Sequence, residues 1–264
     1  MRVLFISSNS GTQGGGEIYL TKLGKALAQE GHGVGMICSN NEKMNGLSEE
    51  FAKWGQVFLI PYQNTYNHPL KSLKYTLPGK SISQSLMPIF QSWAPDIIHL
   101  NKQNLEDGLD LLKDLSRAKV PCLQTTYLLC TPQELSARMG SLRTRVAAKY
   151  LRKYPIPSIL IASRPERVNF ETKDILPTAS LRRIANGVDA VPAAPTVQTD
   201  KALNFLALSR LHAQKRPRLW INWTKHVADA VSQVQFDWCG DGMQEAEFLE
   251  RVEQLDLRDL NYHG

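Results

Sequence analysis

The stretch MRVLFISSNSGTQGGGEIYLTKLGKALAQEGHGVGMICS, residues 1–39, decides how the chain folds. Val3-Leu4-Phe5-Ile6 is a short apolar run of strand-favouring side chains. A polar loop, Ser8 to Gln13, leads to three glycines, Gly14-Gly15-Gly16, and then Glu17. Ile18, Leu20, Leu23, Leu27 and Ala28 recur at helical spacing until Gly31-His32-Gly33, and Val34 to Cys38 is a second apolar run. Strand, glycine loop, helix and strand form the βαβ unit that opens doubly wound parallel sheets. The first backbone N–H groups of such a helix have no partner within it. With the positive end of the helix dipole they face the crevice above the strand ends. Glycine lets a ligand come close to that backbone. Two other readings stand beside this one. The glycines could serve only a tight turn, or the loop could hold a nicotinamide cofactor. The second loses ground because the spacing is not G-x-G-x-x-G, and Ser39-Asn40-Asn41 stands where a ribose-binding carboxylate is expected.

The pattern continues beyond this unit. Leu47 to Trp54 reads as a helix, Val57 to Ile60 as a strand, and Gln63 to Lys80 as a connecting loop. Ser83 to Trp93 is helical, Asp96 to Leu100 a buried strand, Leu105 to Arg117 a helix, and Pro121 to Thr126 a strand. A long helix is expected over Glu134 to Arg152, a strand over Ser158 to Ala162 and a helix over Ser163 to Thr172. Alternation of this kind implies a mostly parallel sheet covered on both faces. The Pro- and small-residue-rich stretch Val191 to Asp200 interrupts it. The expected division is residues 1–192, a linker over 193–200, and 201–264. The pattern restarts with a strand at Leu203 to Leu208, then Pro217 to Val231 as helix, Val234 to Trp238 as strand and Gln244 to Leu255 as helix.

A chain of 264 residues has room for an ample core. The 31 basic and 25 acidic residues give +6, which suits an anionic ligand or an acidic membrane surface but falls short of a nucleic-acid-binding signature. Cys38, Cys122, Cys130 and Cys239 are scattered with no C-x-x-C pair, which points to reduced thiols rather than a metal site. Met1-Arg2 leads straight into a strand, so no signal peptide is read, and no stretch is long enough to span a membrane. The expected location is cytoplasmic, with peripheral contact at the inner face of a membrane as an option.

Several segments, in order, resemble the family-four retaining glycosyltransferases of GT-B fold. They are the Gly14-Gly15-Gly16-Glu17 loop with its helix ending in Gly31-His32, then Ala94-Pro95-Asp96-Ile97-Ile98-His99. Asn186-Gly187-Val188-Asp189 follows, then Leu208-Ser209-Arg210-Leu211-His212-Ala213-Gln214-Lys215, and last Cys239-Gly240-Asp241-Gly242 with the helix after it. The resemblance implies a GT-B-like α/β chain: a complete N-terminal Rossmann-like domain with a parallel sheet, plus the first part of a second Rossmann-like domain. It implies transfer of a sugar, with retention, from a UDP- or GDP-linked donor to a glycan or lipid-linked acceptor, as in polysaccharide or lipopolysaccharide synthesis. The donor phosphates would meet Arg210 and Lys215, with the backbone of Gly15 and Gly16 closing over them. Glu17, Tyr127, Asn186, Asp189, Gly240, Asp241 and Gly242 are further cleft candidates. Two cations and backbone dipoles take the place of a divalent metal, so neither metal nor cofactor is expected, and no nucleic acid.

The chain also departs from that family. Thr126 and Tyr127 stand where a histidine usually faces the donor sugar, and Asn101 where a second is common. The glutamate pair that holds ribose and sugar is absent, as is the helix that returns to the first domain. The expectation is a chain cut within its donor domain and inactive alone. A non-catalytic glycan- or partner-binding module and a nucleotide-dependent oxidoreductase are the rival readings. Finally, Glu134 to Lys153 puts Leu135, Met139, Leu142, Val146 and Tyr150 on one stripe and Arg138, Arg143, Arg145, Lys149, Arg152 and Lys153 on the remainder. Such a helix either docks that stripe on the sheet or lies against anionic lipid.

Overall fold

A computed structural model describes residues 1–11, 14–64, 82–135, 137–160, 181–187, 190 and 203–264. The expected helix over Ser163 to Thr172, the linker over 193–200 and most of the loop after Gln63 lie outside the described residues. The chain divides into two compact units, Met1–Asp189 and Ala190–Gly264.

The first unit is a seven-stranded sheet. Its strands are β1 (Arg2–Ser7), β2 (Gly33–Ser39), β3 (Gln56–Ile60), β4 (Ile97–Asn104), β5 (Cys122–Leu128), β6 (Ser158–Leu160) and β7 (Leu181–Arg183). They run parallel in the order β3-β2-β1-β4-β5-β6-β7. Helices α1 (Gly15–Gln29), α2 (Asn45–Ala52), α3 (Ser83–Trp93), α4 (Leu109–Leu115) and α5 (Gly140–Lys153) connect them. Successive side chains of a strand point to opposite faces, and β1 divides its apolar residues accordingly. Val3 and Phe5 pack with Leu20 of α1 and with Leu47 and Phe51 of α2. Leu4 and Ile6 pack with Leu86 of α3, Leu109 of α4 and Leu151 of α5. Ile18 lies two residues before Leu20, on the far side of α1, and is 58% exposed.

Three elements differ from their sequence reading. β4 does not stop at Leu100. It continues through the polar residues Asn101 to Asn104, which are paired along β5 and largely buried. α4 starts at Leu109 rather than Leu105, because the Asn104 side chain accepts from the backbone N–H of Glu106 and Asp107 (2.9 and 3.0 Å) and folds the chain into a turn. α5 starts at Gly140 rather than Glu134. The Glu134 carboxylate accepts from the N–H and hydroxyl of Thr131, closing a local turn, and Met139 takes the left-handed conformation at φ 57°. The inward face of α5 is therefore Arg143, Val146, Ala147, Ala148 and Leu151. Met139 and Leu142, which the docked reading of that stripe would bury, are 48% and 42% exposed.

The second unit holds β8 (Leu203–Leu208), β9 (Val234–Cys239) and β10 (Leu260–Tyr262), parallel in the order β10-β9-β8, with helices α6 (Pro217–Ala230) and α7 (Glu245–Gln254). Its core gathers Leu211, Ile221, Trp238, Phe248 and Leu257. Phe205 stacks on Phe236 at 5.4 Å and Trp220 meets Trp238 edge-on at 5.1 Å. Leu206 and Leu208 alternate with this packed side of β8 and are 66% and 80% exposed.

Candidate functional site

In a parallel sheet ligands bind outside the carboxyl ends of the strands, so the residues that follow β1, β4, β5, β8 and β9 define the candidate sites.

In the first unit the loop after β1 is internally braced. Asn9 Oδ1 accepts from the backbone N–H of Ser10 and Gly11 (2.8 and 3.1 Å), and Ser10 Oγ accepts from the N–H of Asn64 (2.8 Å). Gly14 caps α1, and its N–H donates to Glu17 Oε2 at 2.8 Å. Glu17 Oε1 accepts from Gln103 Nε2 at 3.2 Å, and the residue is 1% exposed. Glu17 is thus an internal brace with both oxygens engaged by the protein. A second link runs beside it. Tyr127 donates to Asn101 Oδ1 at 2.5 Å, and Asn101 Nδ2 donates to the carbonyl of Gly16 at 3.4 Å. The Tyr127 ring meets Tyr19 edge-on at 5.4 Å. Burial, with Tyr19 and Glu17 beside it, pushes the Tyr127 hydroxyl above the ordinary tyrosine range, so it acts as a neutral donor.

The three glycines divide these tasks. A Cβ on Gly16 would stand 3.0 Å from two carbons of the Tyr127 ring, so glycine lets α1 and β5 meet here without displacing that ring. A Cβ on Gly15 would meet nothing within 4 Å, so its backbone faces open space. The Glu17 carboxylate beneath the loop offsets part of the positive helix end. The anion-binding capacity of this junction is lower than a bare glycine loop suggests.

His99 belongs to the core. Its Nε2 is 2.6 Å from Thr125 Oγ1, its ring lies 5.1 Å from Phe5, and burial holds its pKa down to about 4. β2 ends at Ser39, whose hydroxyl donates to the Tyr62 carbonyl at 2.6 Å. No carboxylate ends β2, as a nicotinamide site would need.

In the second unit two loops lie against each other. The N–H of Ser209 donates to the Cys239 carbonyl (3.0 Å) and that of Leu211 to the Asp241 carbonyl (2.7 Å), while the N–H of Gln244 returns to the Leu211 carbonyl (3.1 Å). Gly242 sits at φ 155°, and a Cβ there would overlap the Leu211 carbonyl. Leu211 is fully buried and anchors the turn, which leaves Arg210 and Lys215 exposed on either side of it. The Ser209 hydroxyl is shielded from solvent and has no hydrogen-bond partner among the described residues.

The structure therefore groups Gly15, Gly16, Glu17 and Tyr127 at one edge of the first sheet, and Arg210, Lys215, Gly240, Asp241 and Gly242 on adjoining loops of the second unit. Asn186 is exposed beyond β7, four strands from β1 and so on the order of 19 Å from it by strand spacing. Asp189 lies outside the described residues. Asn101, which the sequence marked only as a departure from a histidine, and Gln103, which it did not single out, join β4 to the first turn of α1. Their signal was the period-two spacing His99, Asn101, Gln103. Among the described residues no group of three or more His, Cys, Asp or Glu is placed to hold a metal.

A parallel sheet followed by a second parallel β-α-β unit, each with its loops at the carboxyl ends, is the α/β architecture of the GT-B glycosyltransferases, and the chain has that fold. Over its full length it matches sucrose-phosphate synthase from Thermosynechococcus elongatus, at 16% identity and a TM-score of 0.69 over 70% of that chain. It matches the apo form of the lipopolysaccharide outer core galactosyltransferase WaaB at 14% identity and 0.67 over 68% of that chain. It also matches a mutant of S. aureus TarM in complex with fondaparinux, alpha-GlcNAc-glycerol and UDP, at 10% identity and 0.62 over 77% of that chain. No protein-family model matches the chain, and no curated protein matches its sequence.

Proposed function

We propose that this chain binds a nucleotide-sugar, UDP- or GDP-linked, and serves its transfer with retention to a glycan or lipid-linked acceptor, as polysaccharide or lipopolysaccharide synthesis requires. The observation that carries the reading is the pair of exposed cations, Arg210 and Lys215, on a turn whose backbone is clamped by the Gly240–Gly242 loop. A departing diphosphate gains negative charge as the glycosidic bond breaks, and fixed donors aimed at it lower the barrier. A guanidinium offers two parallel donors to phosphate oxygens and an ammonium adds a point charge. In the first unit taken by itself, the acceptor takes the edge built by Tyr127, Asn101, the open backbone of Gly15 and the Ser8–Gly11 loop. In this reading the two cations, rather than a divalent ion, offset the phosphate charge.

Calorimetric titration with UDP, GDP and NAD, with and without a chelator, tests the reading on binding alone and so is independent of turnover. One of the two diphosphates should bind, equally well with the chelator present. Arg210→Ala should weaken binding by about tenfold to a hundredfold, as loss of a hydrogen bond from a charged group does. Binding of NAD alone would replace this proposal with the oxidoreductase reading, and binding of none of the three would leave a non-catalytic module.

A further inference from the structure

Helix α5 carries a surface that sugar transfer does not use. From Arg138 to Lys153 the chain has six cations, and no acidic residue occurs between Glu134 and Glu166. One of the six, Arg143, is turned inward against Glu106. The other five, Arg138, Arg145, Lys149, Arg152 and Lys153, are exposed and form no ion pair among the described residues. Arg152 donates only to the Ala148 carbonyl of its own helix (3.2 Å), and the Lys153 ammonium lies over the Tyr154 ring at 5.4 Å. Between these cations Met139 is 48% and Leu142 42% exposed. Leu142, Arg145, Lys149, Arg152 and Lys153 share one helix face by spacing. The buried Arg143–Glu106 pair holds the first turn of α5 beside the loop that follows β4. Met139 and Leu142 therefore stand at the carboxyl edge of the sheet, where Asn101 and Tyr127 also lie.

We propose that the outer face of α5 docks the protein on an anionic lipid surface, with Met139 and Leu142 entering the headgroup layer and Arg145, Lys149 and Arg152 facing lipid phosphates. What sets this face apart is that two partly exposed apolar side chains stand at the start of an unpaired basic run. A polynucleotide would satisfy the cations but leave Met139 and Leu142 in water, whereas a lipid interface takes both. Each cation near such a surface strengthens partitioning about fivefold, so reversing three weakens it by at least about a hundredfold. The inference rests on α5 alone and is independent of the sugar-nucleotide reading.

Flotation of the full chain with vesicles of phosphatidylcholine, or of phosphatidylcholine with phosphatidylglycerol, tests it. Recovery is expected only with the anionic vesicles, with loss at high salt as screening predicts. The triple variant Arg145→Glu, Lys149→Glu, Arg152→Glu should lose it entirely. Met139→Ser with Leu142→Ser should weaken it severalfold and leave the melting temperature unchanged, since both side chains are exposed. No recovery of the parent chain with anionic vesicles at low salt would overturn the proposal whatever the variants do. So would recovery indifferent to Met139 and Leu142 together with equal affinity for duplex DNA, which would mark a general polyanion surface.

Discussion

Replacing Glu106 with glutamine removes one charge from a pair closed to water. Arg143 Nε donates to Glu106 Oε1 at 2.8 Å and Nη2 to Oε2 at 2.6 Å, and the two side chains are 2% and 1% exposed. Glutamine keeps the shape and one acceptor but turns the other contact into one donor facing another. The guanidinium cannot lose its proton to escape. Breaking such a pair from one side costs about 3–5 kcal/mol. For a unit of this size each kcal/mol lowers the melting temperature by about 2–4 °C. The transition of the first unit should then fall by roughly 6–20 °C, which scanning calorimetry resolves. Glu106→Leu combined with Arg143→Met removes both members of this pair and should melt above Glu106→Gln. A Glu106→Gln transition within about 2 °C of the parent, or a double variant as unstable as its two single changes summed, would refute the view that this pair fixes α5 in place.

Tyr127→Phe deletes the donor to Asn101 and keeps the ring against Gly16. It should cost about 1 kcal/mol in urea denaturation with the fold unchanged. Lys102 is fully buried, its ammonium near the Leu105 carbonyl at 3.2 Å, and burial pushes its pKa from 10.5 down to about 8 against the pull of Asp107 and Asp110. Between those values the unfolded chain binds more protons than the folded one, so this group makes stability rise as pH rises through that window. Its burial costs about 3 kcal/mol at neutral pH. Lys102→Met should therefore gain most over the parent near pH 7, and the gap in urea midpoint should shrink steadily toward pH 10. Gly242→Ala forces a side chain into a left-handed position against the Leu211 carbonyl. It should destabilise the second unit by about 1–3 kcal/mol and abolish nucleotide binding, while calorimetry shows the first unit's transition unmoved.

The opening βαβ unit is legible because its apolar runs and glycines are local signals, and the later alternation is read in the same way. The polar end of β4 is harder. Asn101 to Asn104 lack the apolar content that marks a strand, yet they are paired to β5 and buried, with His99, Asn101 and Gln103 facing α1. The rotation of α5 has no local signal either. Its stripe of Met139 and Leu142 looks like a docking face, and only the partner of Arg143, 37 residues upstream, turns the helix the other way. The glycine loop shows the same limit. Its sequence offers Gly15 and Gly16 alike as points of ligand approach, but the Tyr127 ring packs against Gly16 and leaves Gly15 the more open. The cations on the β8–α6 turn stood out through resemblance, and their exposed placement comes from a buried leucine between them that carries no chemistry of its own.

The division of β1 between two cores has a consequence for synthesis. By the time Ile60 has left the ribosome, α1 and α2 can already cover Val3, Phe5 and Met36. Among the described residues, Leu4, Ile6 and Ile37 on the reverse side have only Ile60 and Tyr62 of their buried cluster to meet until α3, β4 and α4 emerge. The nascent protein therefore travels for tens of residues before the described helices of that greasy flank exist, an interval in which a chaperone holding it would favour yield.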